Sequence, residues 1–563
     1  MVKNGSSLWR WWTLDCVPVC LTGAENDSMK LLGMTVWVAA VGGCLLMATA
    51  ADAQRSPMEW GDQGDGTFIN PILPSDYSDV DAIRVGAEYF VISSTLQYAP
   101  GMVILQSQDL VNWRIAGHVV DDVSQISPEL KWDRMSRYGR GIWAGAIRHH
   151  AGKFWAYFGT PDEGYFMSTA MDVAGPWEPL THVMKAAGWD DCCPFWDDDG
   201  QGYLIGSCFK DHYKIHLFKL TADGKQLVEG FDHVLHQGQG REANKLYKWN
   251  GLYYHFFSEV NREGRVTMMG RARNITGPYE YRQLNHVNPR LDREPNQGGI
   301  VQTETGAWWF VTHQGTGAYE GRTLCLLPVT WREGWPVIGE VGADGIGNMV
   351  WQAQKPIGGF PALLPQMSDA FAARTLGVQW EWNHQPRAEK WSLAERPGWL
   401  RLHAFPPLQR GNLLKAGNTL TQRLVGAGGG EVTVKLDVSA MADGQAAGLC
   451  HYGKKYAWLG VVQSNGVRRI AYSANGHETC GAVLNGAEIC LRSLSGADGA
   501  CTWAFSGDGQ SFTPFGERYA LEWANYRGDR IGLFCYNNEA EAGQADFTAF
   551  RYDINRAKGA VPK

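Results

Sequence analysis

The chain has 563 residues and a formal net charge of −7, with no basic block. That length suits two or three domains, and the charge argues against nucleic acid as a partner. Its 25 tryptophans and 21 tyrosines supply ring area suited both to packing β-rich blades and to stacking on sugars.

Residues 31–50 form the one long apolar run, preceded by Met29-Lys30 and followed by Ala51-Asp52-Ala53. This pattern reads as a secretory signal peptide over 29–53, cleaved after Ala53. Residues 1–28 are then an unstructured upstream extension, with Met29 as the translation start. The run is also long enough to span a bilayer, so an anchor is the competing reading. The small-residue cleavage site favours processing, which leaves a secreted or periplasmic chain starting near Gln54 with no stable membrane insertion. Of 12 cysteines, nine follow Ala53, an odd number that leaves at least one unpaired. Cys480, Cys490 and Cys501 are the candidates for a bridge. Cys192-Cys193 reads as packing, and no zinc spacing is present.

Residues 54–66 are polar and glycine-rich, a mobile lead-in. From 67 to 354 one hairpin pattern recurs, clearest at Glu242–Phe257, where two strand-like runs flank Asn250-Gly251. Asn-Gly between such runs is the strongest short-range hairpin signal. Equivalent turn glycines are Gly86, Gly152, Gly200, Gly251 and Gly306, at intervals of 66, 48, 51 and 55 residues. A period of about 50 residues in an all-strand chain means propeller blades, here five. Turn residues cluster over 355–365, which reads as a linker. Residues 366–555 carry alternating runs such as Glu431–Asp437, Tyr456–Val462 and Asp546–Tyr552. Turns every 8 to 12 residues between half-buried strands predict a β-sandwich. Residues 556–563 look frayed. The fold class is therefore all-β, a five-bladed β-propeller followed by a β-sandwich.

Nine residues before the last four turn glycines stand Trp143, Asp191, Glu242 and Gln297, and Asp79 lies seven before Gly86. In a propeller these are the starts of the innermost strands and ring one mouth of the channel. Asp79, in a run with Asp76 and Asp81, either caps a turn or acts as a general base, which needs polar or cationic neighbours to stay ionised. Asp191 faces the channel and is placed to tune a neighbour's pKa and fix its orientation. Asp197-Asp198-Asp199 are turn chemistry. Glu242 beside a second carboxylate can hold a proton at neutral pH and so act as general acid; pairing with Arg241 is its structural alternative. Trp143 and Trp196 suit sugar stacking or blade core. Arg322 can anchor a sugar hydroxyl or a carboxylate, and His313 can line the channel or sit satisfied in the core.

These residues resemble glycoside hydrolase family 43, the β-xylosidases and α-L-arabinofuranosidases. Asn70–Asp79 is similar to the segment ending in that family's base, and Trp143-Ala144-Gly145 to its second-blade motif. Asp191 with Pro194-Phe195-Trp196 resembles its pKa-modulating segment, and Glu242 falls at the general acid. Gly321-Arg322 through Gly339 resembles its fifth blade, and 366–555 its concanavalin A-like sandwich. Prolines expected after these landmarks are Val80, Gly145, Cys192 and Ala243-Asn244 here, which touches loop shape rather than charge. The resemblance implies an inverting glycosidase acting on xylo- or arabino-oligosaccharides with no required cofactor. It also implies an aromatic, Trp523 or Tyr526, reaching the pocket from the sandwich. A calcium ion near the axis is weakened by Asn296, where the family often has His. The rival is a non-catalytic carbohydrate-binding protein on the same fold.

Overall fold

The computed structural model describes residues 60–554 apart from 239, 288–296, 316–318 and 427. The expectations for the upstream extension, the signal peptide, the chain start near Gln54, Asn296 and the last residues lie outside the described ones. Among the described residues no helix is long and apolar enough to cross a membrane.

Five antiparallel sheets follow one another in the chain, four of four strands and the last of five because the entering chain adds a strand to it. Their first strands are Asp81–Val85, Gly145–His150, Trp189–Trp196, Glu242–Trp249 and Gly298–Gln302. Each predicted turn glycine lies between the first and second strand of its blade. Asn250 and Gly251 have φ of 51° and 75°, the two positive values of a type I′ turn. No atom lies within 4 Å of a Cβ built on Gly251, so the backbone conformation and not space requires glycine.

The ring is closed by the entering chain. Leu73–Asp76 pairs with the third strand of blade five, and Thr67–Ile69 pairs with Gln352–Gln354 at the propeller exit. Residues 60–66 are not a loose lead-in. Trp60 is buried, and Gly61-Asp62 pairs with Phe68-Ile69. Asp62 binds Lys355, whose ammonium also meets Asp109 at 3.0 Å. Aromatic rings fill the seams between blades. Trp249 of blade four meets Trp308 and Trp331 of blade five edge-on, at 5.4 and 5.2 Å.

The second half forms two eight-stranded antiparallel sheets. In Gly429–Asp437 the buried Val432, Val434 and Leu436 alternate with half-exposed Thr433 and Lys435, the period-2 mark of a sheet with one dry face. One sheet ends on Tyr98-Ala99 of the propeller, which pairs with Trp382 and Asn383. Beside that junction Glu381 is buried between Arg423 (2.7 Å) and Arg530 (2.5 Å), with His118 of blade one at 3.2 Å. A shared strand edge and a buried ion cluster therefore lock sandwich to propeller. Cys480, Cys490 and Cys501 are free thiols. Cys490 pairs with Ser506 and Cys501 with Ser495, far apart along one strand pair, while Cys480 sits in the other sheet, so the candidate bridge does not form.

Candidate active site

The first strands of the blades converge on a pocket of about 360 Å³. Asp79, Trp143, Asp191, Glu242 and Gln297, the five positions picked out by blade register, all line it. Local backbone irregularity aims the carboxyls. Asp79 and Asp191 have φ of 57° and 51°, and Ala243, next to Glu242, has 67°. Strand pairing slips between Asp190 and Cys193 and again between Glu242 and Lys245. Bulges of this kind re-aim side chains at channel mouths.

Asp79 is gripped on both oxygens. Arg322 donates to Oδ1 at 2.5 Å and Ser94 donates to Oδ2 at 2.5 Å. The Asp79 backbone N–H donates to Nδ1 of His313 at 2.9 Å, so His313 stands behind the acid in the core. Burial alone would raise the pKa of Asp79. Arg322 first, then His313, Arg527 and the Ser94 hydroxyl outweigh it and hold the carboxyl well below its usual range.

Glu242 has the opposite bias. Burial and the neighbouring Asp191 and Asp79 charges push it up to about 7, against the pull of Arg265 and Arg322. Arg265 meets its Oε2 at 3.2 Å and is itself fixed on the Gly240 carbonyl at 2.7 Å. The Glu242 side chain is still 37% exposed through the pocket mouth. Displacement of that water by a sugar strengthens each of these interactions.

Asp191 is held between blades. Gln297 Nε2 donates to its Oδ1 at 2.7 Å, and Asn244 Nδ2 donates to its carbonyl at 3.1 Å. Burial raises its pKa while the fully buried Lys245 lowers it. Asp190 also lines the pocket, a second acid that sequence register did not select. Its buried Oδ1 has no hydrogen-bond partner, and burial with the Asp191 charge drives its pKa well above the carboxylate range. Phe209 and Tyr213, from the next hairpin of blade three, complete the rim. Phe209 lies 6.0 Å from the Trp143 ring.

Trp196 is a correction. It stacks on His150 at 4.5 Å and 6° and does not line the pocket. Five residues beyond Asp191 on an extended strand it is roughly 16 Å away, in the seam between blades two and three. From the sandwich, Tyr526 lines the pocket and is 59% exposed. Trp523 is half-buried beside it and does not line the pocket; both rings lie 5.8 Å from the Arg322 guanidinium. Among the described residues no group of three or more His, Cys, Asp or Glu side chains could hold a metal ion.

A pocket that sets a carboxylate held ionised, Asp79, against a carboxyl whose pKa is raised into the neutral range, Glu242, has the equipment for acid–base cleavage of a bond between sugars, and the class is that of glycosidases. Comparison with known proteins gives the family: the chain belongs to glycosyl hydrolases family 43. That family's model matches residues 68–336, and the model of the beta xylosidase C-terminal concanavalin A-like domain matches 368–553. The chain is 35% identical to a beta-xylosidase of Formosa agariphila, over 90% of this chain and 94% of the relative. It is 29% identical to a non-reducing end alpha-L-arabinofuranosidase of Bacteroides ovatus, over 60% of this chain and 65% of that one. Among solved structures, a bifunctional GH43-CE protein of Bacteroides eggerthii superposes with a TM-score of 0.78 at 29% identity. That match covers 89% of this chain and 64% of the longer one. The protein is thus a glycosidase, and the non-catalytic alternative falls away.

Proposed function

We propose that the protein releases xylose or arabinofuranose from the non-reducing ends of xylan- or arabinan-derived oligosaccharides, with inversion at the anomeric carbon. The observation that carries this reading is the opposite protonation bias of two carboxyls in one pocket. Asp79 stays ionised beside two guanidiniums, and Glu242 titrates at about 7. In this scheme Asp79 takes a proton from a water molecule, whose oxygen attacks the anomeric carbon. Glu242 gives its proton to the glycosidic oxygen as the C–O bond breaks. Inversion needs roughly 6.5–9.5 Å between the carboxyls, so that water fits beside the sugar. After turnover Asp79 holds the proton and Glu242 is ionised, and exchange with solvent restores the start. Asp191 orients the acid side and sustains its high pKa. The scheme uses no cofactor.

The named relatives support a xylose- or arabinofuranose-sized sugar. The compact pocket with Tyr526 at its mouth suits removal of single end residues. Arg322, Trp143, Gln297 and Tyr526 are proposed as sugar contacts. We also propose export: the apolar run 31–50 and Ala51-Asp52-Ala53 fit a processed signal, and mass spectrometry of exported protein should find a start near Gln54. The activity test is proton NMR of the first product anomer from aryl β-xyloside and aryl α-arabinofuranoside. Inversion predicts the opposite anomer at early times. Retained configuration, or no turnover of either substrate, would overturn the reading.

A further inference from the structure

We propose that Arg527, carried by the sandwich, is a positioning residue for hydrolysis: acting through Ser94, it fixes the Asp79 carboxylate of the propeller. This rests on the reading of Asp79 as the base.

The segment that delivers Arg527 is a tight hairpin tip. Ala524 and Arg527 exchange backbone hydrogen bonds at 2.9 Å in both directions, and Asn525 and Tyr526 have φ of 53° and 62°. A left-handed conformation suits Asn and is costly for a bulky ring. Neighbouring contacts hold it in place. A Cβ on Gly528 would lie 2.6 Å from the Tyr319 carbonyl oxygen, so only glycine lets the tip press onto blade five. Asp529 N–H donates to that same oxygen at 2.7 Å. On the other side, Asn525 Cβ lies 3.2 Å from where Gly139 would carry a Cβ. The tip is a wedge with Tyr526 facing the pocket and Arg527, 3% exposed, beneath it.

Arg527 spends its guanidinium on the propeller. Nη2 donates to Ser94 Oγ at 2.7 Å, and Nη1 donates to Ser78 Oγ and to Asp76 Oδ2 at 3.3 Å. All three partners are buried. A serine hydroxyl has one proton. Ser94 accepts from Arg527, and of the two acceptors in its reach, Ser78 Oγ at 3.2 Å and Asp79 Oδ2 at 2.5 Å, its proton goes to the nearer, charged one. The relay therefore fixes one carboxylate oxygen from the sandwich, while Arg322 fixes the other from blade five. Hydrogen bonds polarised in series by a charged donor are stronger than isolated ones.

The charged and titratable groups facing Asp79 are Arg322 and His313 from blade five, Arg527 from the sandwich and Asp76 from the entering chain. Across the pocket stand Asp190, Asp191, Glu242 and Arg265. Removing Arg527 deletes one of the two guanidiniums that support Asp79, leaving Arg322 and His313, and leaves every acid in place. The acidic limb of kcat/KM should then move to higher pH.

The test uses the full-length chain with Arg527→Met, Arg527→Lys, Ser94→Ala and the Met/Ala double variant, each checked for an unchanged melting transition. Arg527→Met should lower kcat on the order of 10–100-fold, with KM on a short substrate changed less than about threefold. Its acidic limb should rise by about one pH unit. Arg527→Lys keeps the charge and should hold the limb near its original position. The double variant should lose no more than Arg527→Met alone, because both residues act in one relay. Equal losses at all pH values, or additive losses in the double variant, would overturn the proposal. If Arg527→Met does not fold, Ser94→Ala decides: it must lower kcat and move the limb the same way. Asp79→Asn separates the two readings. If it abolishes turnover while Arg527→Met and Ser94→Ala act normally, the base stands and the relay falls. If Asp79→Asn stays active, the base assignment itself falls.

Discussion

The two walls of the pocket are built from the same residue types and do opposite things. On one wall Asp79 accepts from Arg322 of blade five and from Ser94 of blade one, and Ser94 in turn accepts from Arg527 of the sandwich. On the other, Glu242 is paired with Arg265 and stands in a wall that also carries Asp190 and Asp191, whose charge works against the pull of Arg265 and Arg322. Cations gathered on one side and carboxyls on the other set where the proton rests. The lesson is that neither role belongs to the carboxyl itself; each is assigned by its neighbours.

Asp79→Asn should break the comparison most severely. It removes the pocket carboxylate held most strongly ionised, and turnover should fall by the upper end of about 10²–10⁴-fold on every substrate, whatever its leaving group. Steady-state rates on an activated and an unactivated glycoside check this. Glu242→Gln comes next. Loss of the proton donor should cost about 10²–10⁴-fold on natural oligosaccharides and much less on aryl glycosides with good leaving groups. Equal losses on both would remove Glu242 from the acid role.

A smaller, paired effect sharpens the contrast. Asp191 raises the pKa of Glu242 and Arg265 lowers it. The group must be protonated to act, so activity is lost as pH rises through its pKa. Asp191→Asn should therefore move the alkaline limb to lower pH, and Arg265→Met should move it to higher pH. Shifts in the same direction would contradict the electrostatic assignment. The smallest effect on catalysis belongs to Trp196→Ala. Because Trp196 stacks on His150 away from the pocket, KM should stay within about twofold while stability falls by about 3 kcal/mol or less, read by KM measurements and thermal melting.

Much of this was legible because a propeller repeats. Counting back from each turn glycine converts chain position into channel position, and Trp143, Asp191, Glu242 and Gln297 came out on the pocket wall. Register counts fail where the ladder slips. The bulge after Asp190 brings a second acid to the pocket beside Asp191, and strict alternation would have pointed it away. Trp196 was misplaced for the converse reason: its strand runs outward, so five residues move it out of reach. Arg265 and Arg527 carry no such mark. Arg265 lies at the hairpin end of a third strand, where it pairs with Val260. Arg527 comes from a different domain, and only three-dimensional closure of the sandwich on the propeller brings it under Asp79.

The pH dependence of kcat/KM on an activated aryl glycoside decides whether Glu242 is the protonated partner of an ionised Asp79. An alkaline limb near pH 7 is expected in the unaltered enzyme, and it should disappear in Glu242→Gln. An alkaline limb that persists unchanged in that variant would contradict that role for Glu242.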